Sequence, residues 1–166
     1  NGGLQDRHVC EGSLCLAPGL VVVDRHGQAR GLFEDQDFHD VELVRNGAEV
    51  VQLLHREPKP VLASLNGPAA GGGVWLALAC DLRIASESAS LGLVFHRLGL
   101  HPDFGTSWFV PRLAGSAAAL ELLWTPRMLP AARCLELGLV NRVVRDENLQ
   151  HETAAWAARL AALPPI

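Results

Sequence analysis

Three glycines in a row, Gly71-Gly72-Gly73, stand between the apolar run Val61 to Leu65 and the apolar stretch Val74 to Cys80. Asn66-Gly67-Pro68 between them reads as a turn. Glycine lets a backbone close on a ligand, and the first amides of a helix are unpaired at the positive end of its dipole. A strand, glycines and a helix start in that order make a place to hold an oxyanion. A tight strand-to-helix turn without a ligand is the plainer reading of the same spacing.

Other reactive side chains carry weaker patterns. Asp103 suits the cap of a helix beginning at Phe104. His96 and His101 flank that segment and read as packing or loop histidines. Glu34, Asp35 and Asp37 lie close to His39, and a solvated acidic loop is preferred over a metal site. Cys10, Cys15, Cys80 and Cys134 form no CxxC pair, which disfavours zinc and suits a reduced, intracellular setting, with Cys80 and Cys134 read as buried structural thiols.

The elements that must position these residues follow from periodicity. Leu20 to Val23 is a β-branched strand entering a turn. Phe38, Val41, Val44, Val51 and Leu54 fall on one helical face, weakened at Gly47 and stopped by Pro58. Leu82 to Ala85 and Ser90 to Val94 are extended, and Phe104, Trp108, Phe109 and Leu113 mark the buried face of a helix. Ser116 to Trp124 and Ala131 to Leu137 are further helices, the second ending at Gly138. Leu139 to Val144 is a strand, and Asn148 to Leu163 is an amphipathic helix with Leu149, Thr153, Trp156, Ala157 and Leu160 inward. Strands alternating with helices predict an α/β fold with mostly parallel pairing.

The 166 residues suit one domain with a real core, and 49% hydrophobic with 19% charged residues is a globular composition. A net charge of −4 argues against a nucleic-acid binder. No apolar run approaches the ~20 residues of a membrane span. Leu14 to Val23 lacks the basic leader of a signal peptide. The missing initial methionine and the Pro164-Pro165-Ile166 ending read as a fragment or processed chain.

Lys59-Pro60-Val61-Leu62-Ala63-Ser64-Leu65-Asn66-Gly67, Ala70-Gly71-Gly72-Gly73, Cys80-Asp81-Leu82-Arg83-Ile84-Ala85, Gly99-Leu100-His101-Pro102-Asp103 and Gly138-Leu139-Val140-Asn141-Arg142-Val143-Val144 together resemble the enoyl-CoA hydratase/isomerase (crotonase) family. The likeness runs from about Phe33 to Leu163. Residues 1 to 30 match poorly, so residues 31 to 166 are taken as the core domain. The resemblance implies a crotonase-like spiral of ββα units, truncated at both ends. It also implies an acyl-CoA thioester substrate, with coenzyme A part of the substrate rather than a cofactor, no metal, a cytoplasmic location, and a homotrimer or hexamer.

It further implies an oxyanion hole made of two backbone amides. One falls on Gly72, with Gly71 and Gly73 lining the substrate. The other falls on Gln36 in Leu32-Phe33-Glu34-Asp35-Gln36-Asp37, where the family glycine is replaced by Asp35. The two glutamates of the family's hydratases correspond to Trp75 and Phe95, and neither ring can activate water. Trp75 is then an apolar wall of the acyl pocket or plain core. The His101-Pro102-Asp103-Phe104 context is similar to enoyl-CoA isomerases of the phenylacetate-pathway type, which makes Asp103 the proton-transfer group. Phe95, Phe104 and Trp108 would desolvate it and raise its pKa. Arg112 is a surface or ion-pair residue rather than a contact for a coenzyme A phosphate. Dehalogenation would need a histidine near Ala48, and His55 lies about two turns on. A hydratase and a non-catalytic acyl-CoA-binding protein are the alternatives to an isomerase.

Overall fold

The computed structural model describes residues 16–17, 20–23 and 41–163. Two short strands, β1 (Leu16–Ala17) and β2 (Leu20–Val23), precede helix α1 (Val41–Arg56). Strand β3 (Leu62–Leu65), strand β4 (Pro68–Ala70) and helix α2 (Gly72–Ala79) form one ββα turn. β5 (Leu82–Ser86) and β6 (Ser90–Gly92) open the next, followed by a 3-10 turn (Phe95–Leu98), α3 (Thr106–Ala114) and α4 (Ser116–Trp124). β7 (Met128–Pro130), α5 (Ala131–Glu136), β8 (Arg142–Val144), a second 3-10 turn (Asp146–Asn148) and α6 (Leu149–Ala161) complete the order.

Each ββα turn lays one strand in each of two sheets. The larger sheet runs β1-β2-β3-β5-β8 and the smaller β4-β6-β7. β2, β3, β5 and β8 pair in parallel, with Val22 opposite Ser64 and Ser64 opposite Ile84. β1 with β2 and β6 with β7 are the antiparallel pairs. The expected α/β class and mostly parallel pairing are present.

All four residues of β3 are buried, as an apolar strand covered on both faces must be. Alternation then sorts the side chains. Ala63, Leu65 and Ala85 face the main core with α2, whereas Leu62 and Ile84 face Leu149 and Trp156 of α6. Ser64 is satisfied on the α6 side by a hydroxyl–hydroxyl bond of 3.0 Å to Thr153. The Arg142 guanidinium lies 3.9 Å from the Trp156 ring centroid and ties β8 to the same helix. α2 is apolar all round and buried from Gly73 to Ala79, so it is the hub of the main core.

Several expectations are corrected at element ends. The helix assigned from Phe104 starts at Thr106, because Phe104 (φ 42°) and Gly105 (φ 80°) both hold left-handed backbone. Its N-cap is Gly105 with no side-chain capping bond, so the cap expected from Asp103 is not made. Trp108, expected on the buried face, is 52% exposed. The strand assigned over Leu139 to Val144 is a strand only from Arg142, although Leu139 and Val140 are buried. α5 ends at Glu136, with Gly138 at φ 73°, Leu139 N–H on the Cys134 carbonyl at 2.8 Å and Gly138 N–H on Leu135 at 3.1 Å. The turn expected to include Pro68 is instead the start of β4.

Candidate active site

α2 begins on the glycines, and its amide end is left open. Gly71 is the N-cap at φ 51°, ψ −120°, a backbone state that glycine adopts without a side-chain penalty, and no side chain bonds to the cap. The first helical bonds run from Val74 and Trp75 N–H to the Gly71 carbonyl at 3.1 and 3.4 Å. The amides of Gly72 and Gly73 therefore come ahead of the first intrahelical bond, at the positive end of the dipole. The Trp75 indole lies beside Gly72, with its Cζ2 3.4 Å from where a Cβ on that glycine would stand.

The carbonyl end of α2 is closed by groups from elsewhere. Arg83, 2% exposed, sends Nη1 to the carbonyls of Cys80 at 2.6 Å and Ala77 at 3.3 Å. Its Nε reaches the Leu139 carbonyl at 2.8 Å and Nη2 the Asp81 carbonyl at 3.4 Å. Burial lowers the Arg83 pKa from its ordinary value, yet the cation meets four carbonyl dipoles, two of them at the helix end that favours positive charge. Asn141 then locks the Arg83 backbone, accepting its N–H on Oδ1 at 2.8 Å while donating to its carbonyl at 2.9 Å. Asp81 accepts the Val61 N–H at 2.8 Å, and Val61 in turn accepts from the Asp81 and Leu82 amides at 3.0 and 3.1 Å, so the exit from α2 is fixed to the entry of β3. The sequence pattern does not announce Arg83, whose place inside a strand motif gives no sign of a buried cation. The Cys80 thiol is pushed up to about 12 and that of Cys134 to about 11, each mainly by burial, and both are free thiols.

Asp103 sits half-buried on the segment leading into α3, and its carbonyl accepts the Thr106 N–H at 2.8 Å. Burial raises its carboxyl pKa above the ordinary value, while its own backbone amide and His101 pull in the opposite sense. The next residue, Phe104, packs its ring on Trp75 with centroids 4.8 Å apart. Trp75 is thus the link between two candidate regions: it stands against the Cβ position of Gly72 and also packs on the residue after Asp103. Phe95 is buried in the same core.

The remaining candidates are placed elsewhere. Trp108 lies at the surface beneath Arg112, whose guanidinium is 3.0 Å from the ring centroid and whose Nη1 also bonds the Trp108 carbonyl at 3.0 Å. Arg112 is therefore engaged within its own helix. His96 and His101 are exposed, and His55 of α1 packs edge-on to Phe109 at 5.4 Å. Gln36, with Glu34, Asp35, Asp37 and His39, lies outside the described residues. An open cleft of about 350 Å³ lies at the carboxyl ends of β3, β5 and β8, between Asn66, Ser86, Ser88 and Asp146, and is not lined by Gly71, Gly72 or Gly73. Asp146 there accepts the Ser88 N–H at 3.1 Å, which holds its pKa down. Among the described residues no helix is long and apolar enough to cross a membrane.

Comparison with known proteins gives this geometry a family. The family model for enoyl-CoA hydratase/isomerase matches residues 29–166. The chain is 36% identical over 151 residues to the 1,2-epoxyphenylacetyl-CoA isomerase of Escherichia coli, covering 83% of this chain and 58% of that protein. It is 41% identical over 114 residues to the crotonyl-CoA hydratase of Syntrophomonas wolfei, covering 69% of this chain and 44% of that one. The crystal structure of an enoyl-CoA hydratase from Bacillus anthracis superposes with a TM-score of 0.75 at 38% identity, over 78% of this chain and 51% of that chain. The chain spans about half the length of the relatives it matches. With the expected ββα architecture and the glycine-led α2 both present, the chain belongs to the enoyl-CoA hydratase/isomerase family and has the crotonase fold.

Proposed function

We propose that this chain is part of an enzyme that shifts a carbon–carbon double bond in an enoyl-CoA. The observation that carries the proposal is the grouping around Trp75. The indole lies 3.4 Å from the Cβ position of Gly72, at the open start of α2, and Phe104, next to the half-buried Asp103, packs on the same indole. The thioester carbonyl would accept the Gly72 N–H, with the Gln36 N–H as second donor, so that charge gathering on oxygen meets fixed dipoles. Asp103, as carboxylate, takes a proton from the α carbon of a 3-enoyl-CoA. The released electron pair spreads from the γ carbon to the thioester oxygen, and the same proton returns to the γ carbon. The double bond moves one place, and nothing enters or leaves. A raised pKa supports this role, since a carboxylate nearer to working pH is a stronger base.

Hydration asks for more. A water must be deprotonated and a proton delivered to carbon, and Trp75 and Phe95 supply neither group at the positions where the family's hydratases carry glutamates. Acyl-CoA binding without turnover is a second reading, supported by the absence of the hydratase glutamates at Trp75 and Phe95. A cytoplasmic location and a trimeric or hexameric assembly belong to the same proposal and rest on the family likeness.

The test is turnover of a 3-enoyl-CoA in 18O-labelled water by the parent and by Asp103→Asn. The expected result is isomerisation without label uptake, falling about 10²-fold or more in the variant. Parent-like turnover by the variant would remove Asp103 from the reaction. Labelled 3-hydroxyacyl-CoA would make the protein a hydratase, and tight acyl-CoA binding with no product would select the second reading.

A further inference from the structure

Phe104 is a non-glycine residue held at positive φ, 42°, immediately after Asp103. Such backbone persists only where the surroundings over-determine it, and it concentrates at functional positions. Three helices supply that constraint. On the α1 side, a Cβ on Gly47 would stand 2.7 Å from Cε1 of Phe104 and 3.2 Å from its Cζ, so the ring occupies a notch that exists only because residue 47 has no side chain. On the α2 side the ring packs on Trp75. On the α3 side Gly105, at φ 80°, has Phe109 Cε2 2.8 Å from its Cβ position, which leaves the chain one narrow way into the helix. A glycine inside α1 weakens that helix, so its position beneath this ring calls for a gain elsewhere.

We propose that Phe104, seated in the Gly47 notch, is a positioning residue that sets the direction of the Asp103 carboxyl toward the substrate. The inference rests on the reading of Asp103 as the proton-transfer group. With the ring seated, the Asp103–Phe104 peptide cannot rotate without driving the ring into α1 or Trp75, so the carboxyl is held before substrate arrives. That is the pre-organisation proton transfer to and from carbon needs.

The test compares Gly47→Ala, Phe104→Leu and the pair Gly47→Ala/Phe104→Leu with Asp103→Asn in the full chain. Gly47→Ala, which presses a methyl on the ring, is expected to lower kcat about 10²-fold with KM unchanged. It should also move the acid limb of the pH profile to lower pH, because a loosened Asp103 is better solvated and returns toward the ordinary carboxylate value. Phe104→Leu removes atoms without adding any, so it reads the same quantities even if Gly47→Ala fails to fold. The pair, in which the smaller side chain accommodates the methyl, is expected to recover part of the kcat. If Gly47→Ala and Phe104→Leu alter only the unfolding temperature, leaving kcat and the pH limb in place while Asp103→Asn is inactive, Phe104 is a packing residue and the proposal is overturned. If Asp103→Asn turns over like the parent, the underlying reading fails instead.

Discussion

The two ends of α2 are built in opposite ways. At the carbonyl end a buried arginine reaches the last carbonyls, while an aspartate beside it and an asparagine from a later segment fix the backbone around it. At the amide end, glycines replace capping side chains and the first two amides are left without a helical partner. A helix that needed only stability would be capped at both ends, where a side-chain N-cap adds about 1 kcal/mol. The asymmetry fits the proposed oxyanion site at the amide end, whereas the carbonyl end keeps the helix in place.

The largest expected effect falls on the closed end. Arg83→Met leaves the Ala77, Cys80 and Leu139 carbonyls buried and short of donors, and is expected to lower stability by about 3–5 kcal/mol in denaturant unfolding. A smaller loss, about 1–2 kcal/mol, is expected for Asp81→Ala, whose carboxylate holds the Val61 N–H but is partly open to solvent. At the open end the sign reverses. Gly72→Ala meets only ordinary contacts at 3.4 Å from Trp75 and improves helix propensity, so stability should rise by about 0.5 kcal/mol while acyl-CoA turnover falls. Equal losses from Arg83→Met and Gly72→Ala in the same unfolding assay would abolish the contrast between the ends.

Much of this architecture can be read directly from the chain, because its strongest signals are local. Glycines between apolar runs announce α2, the β-branched residues of Leu20–Val23 announce β2, and the 3.6-residue spacing of Leu149, Thr153 and Trp156 announces the buried face of α6. What stays hidden depends on distance. Arg83 reads as an ordinary polar position in a strand, since its acceptors at 77, 80 and 139 converge only after the fold is made. β4 and β7 have three residues each and include prolines, so no periodicity can reveal them. Trp108 has the spacing of a core residue, but its partner is Arg112 one turn away, and the pair lies flat on the surface. In the candidate site, Gly72, Trp75 and Asp103 are visible as types in a pattern. The left-handed turn at Phe104 and its seat over Gly47 are not, because hydrophobic spacing continues the helix straight through both.

The hydroxyl pair joining Ser64 to Thr153 spans 89 positions of chain. β3 and β5 are made before α6, so Leu62 and Ile84 emerge with one flank uncovered until that helix follows, and the outer edge of β5 stays unmatched until β8 is made. Assembly that depends on such remote partners is slow, and nascent chains of this kind are exposed to self-association in the interval. Until α6 follows, this uncovered apolar flank is where the polypeptide most needs shielding from its neighbours.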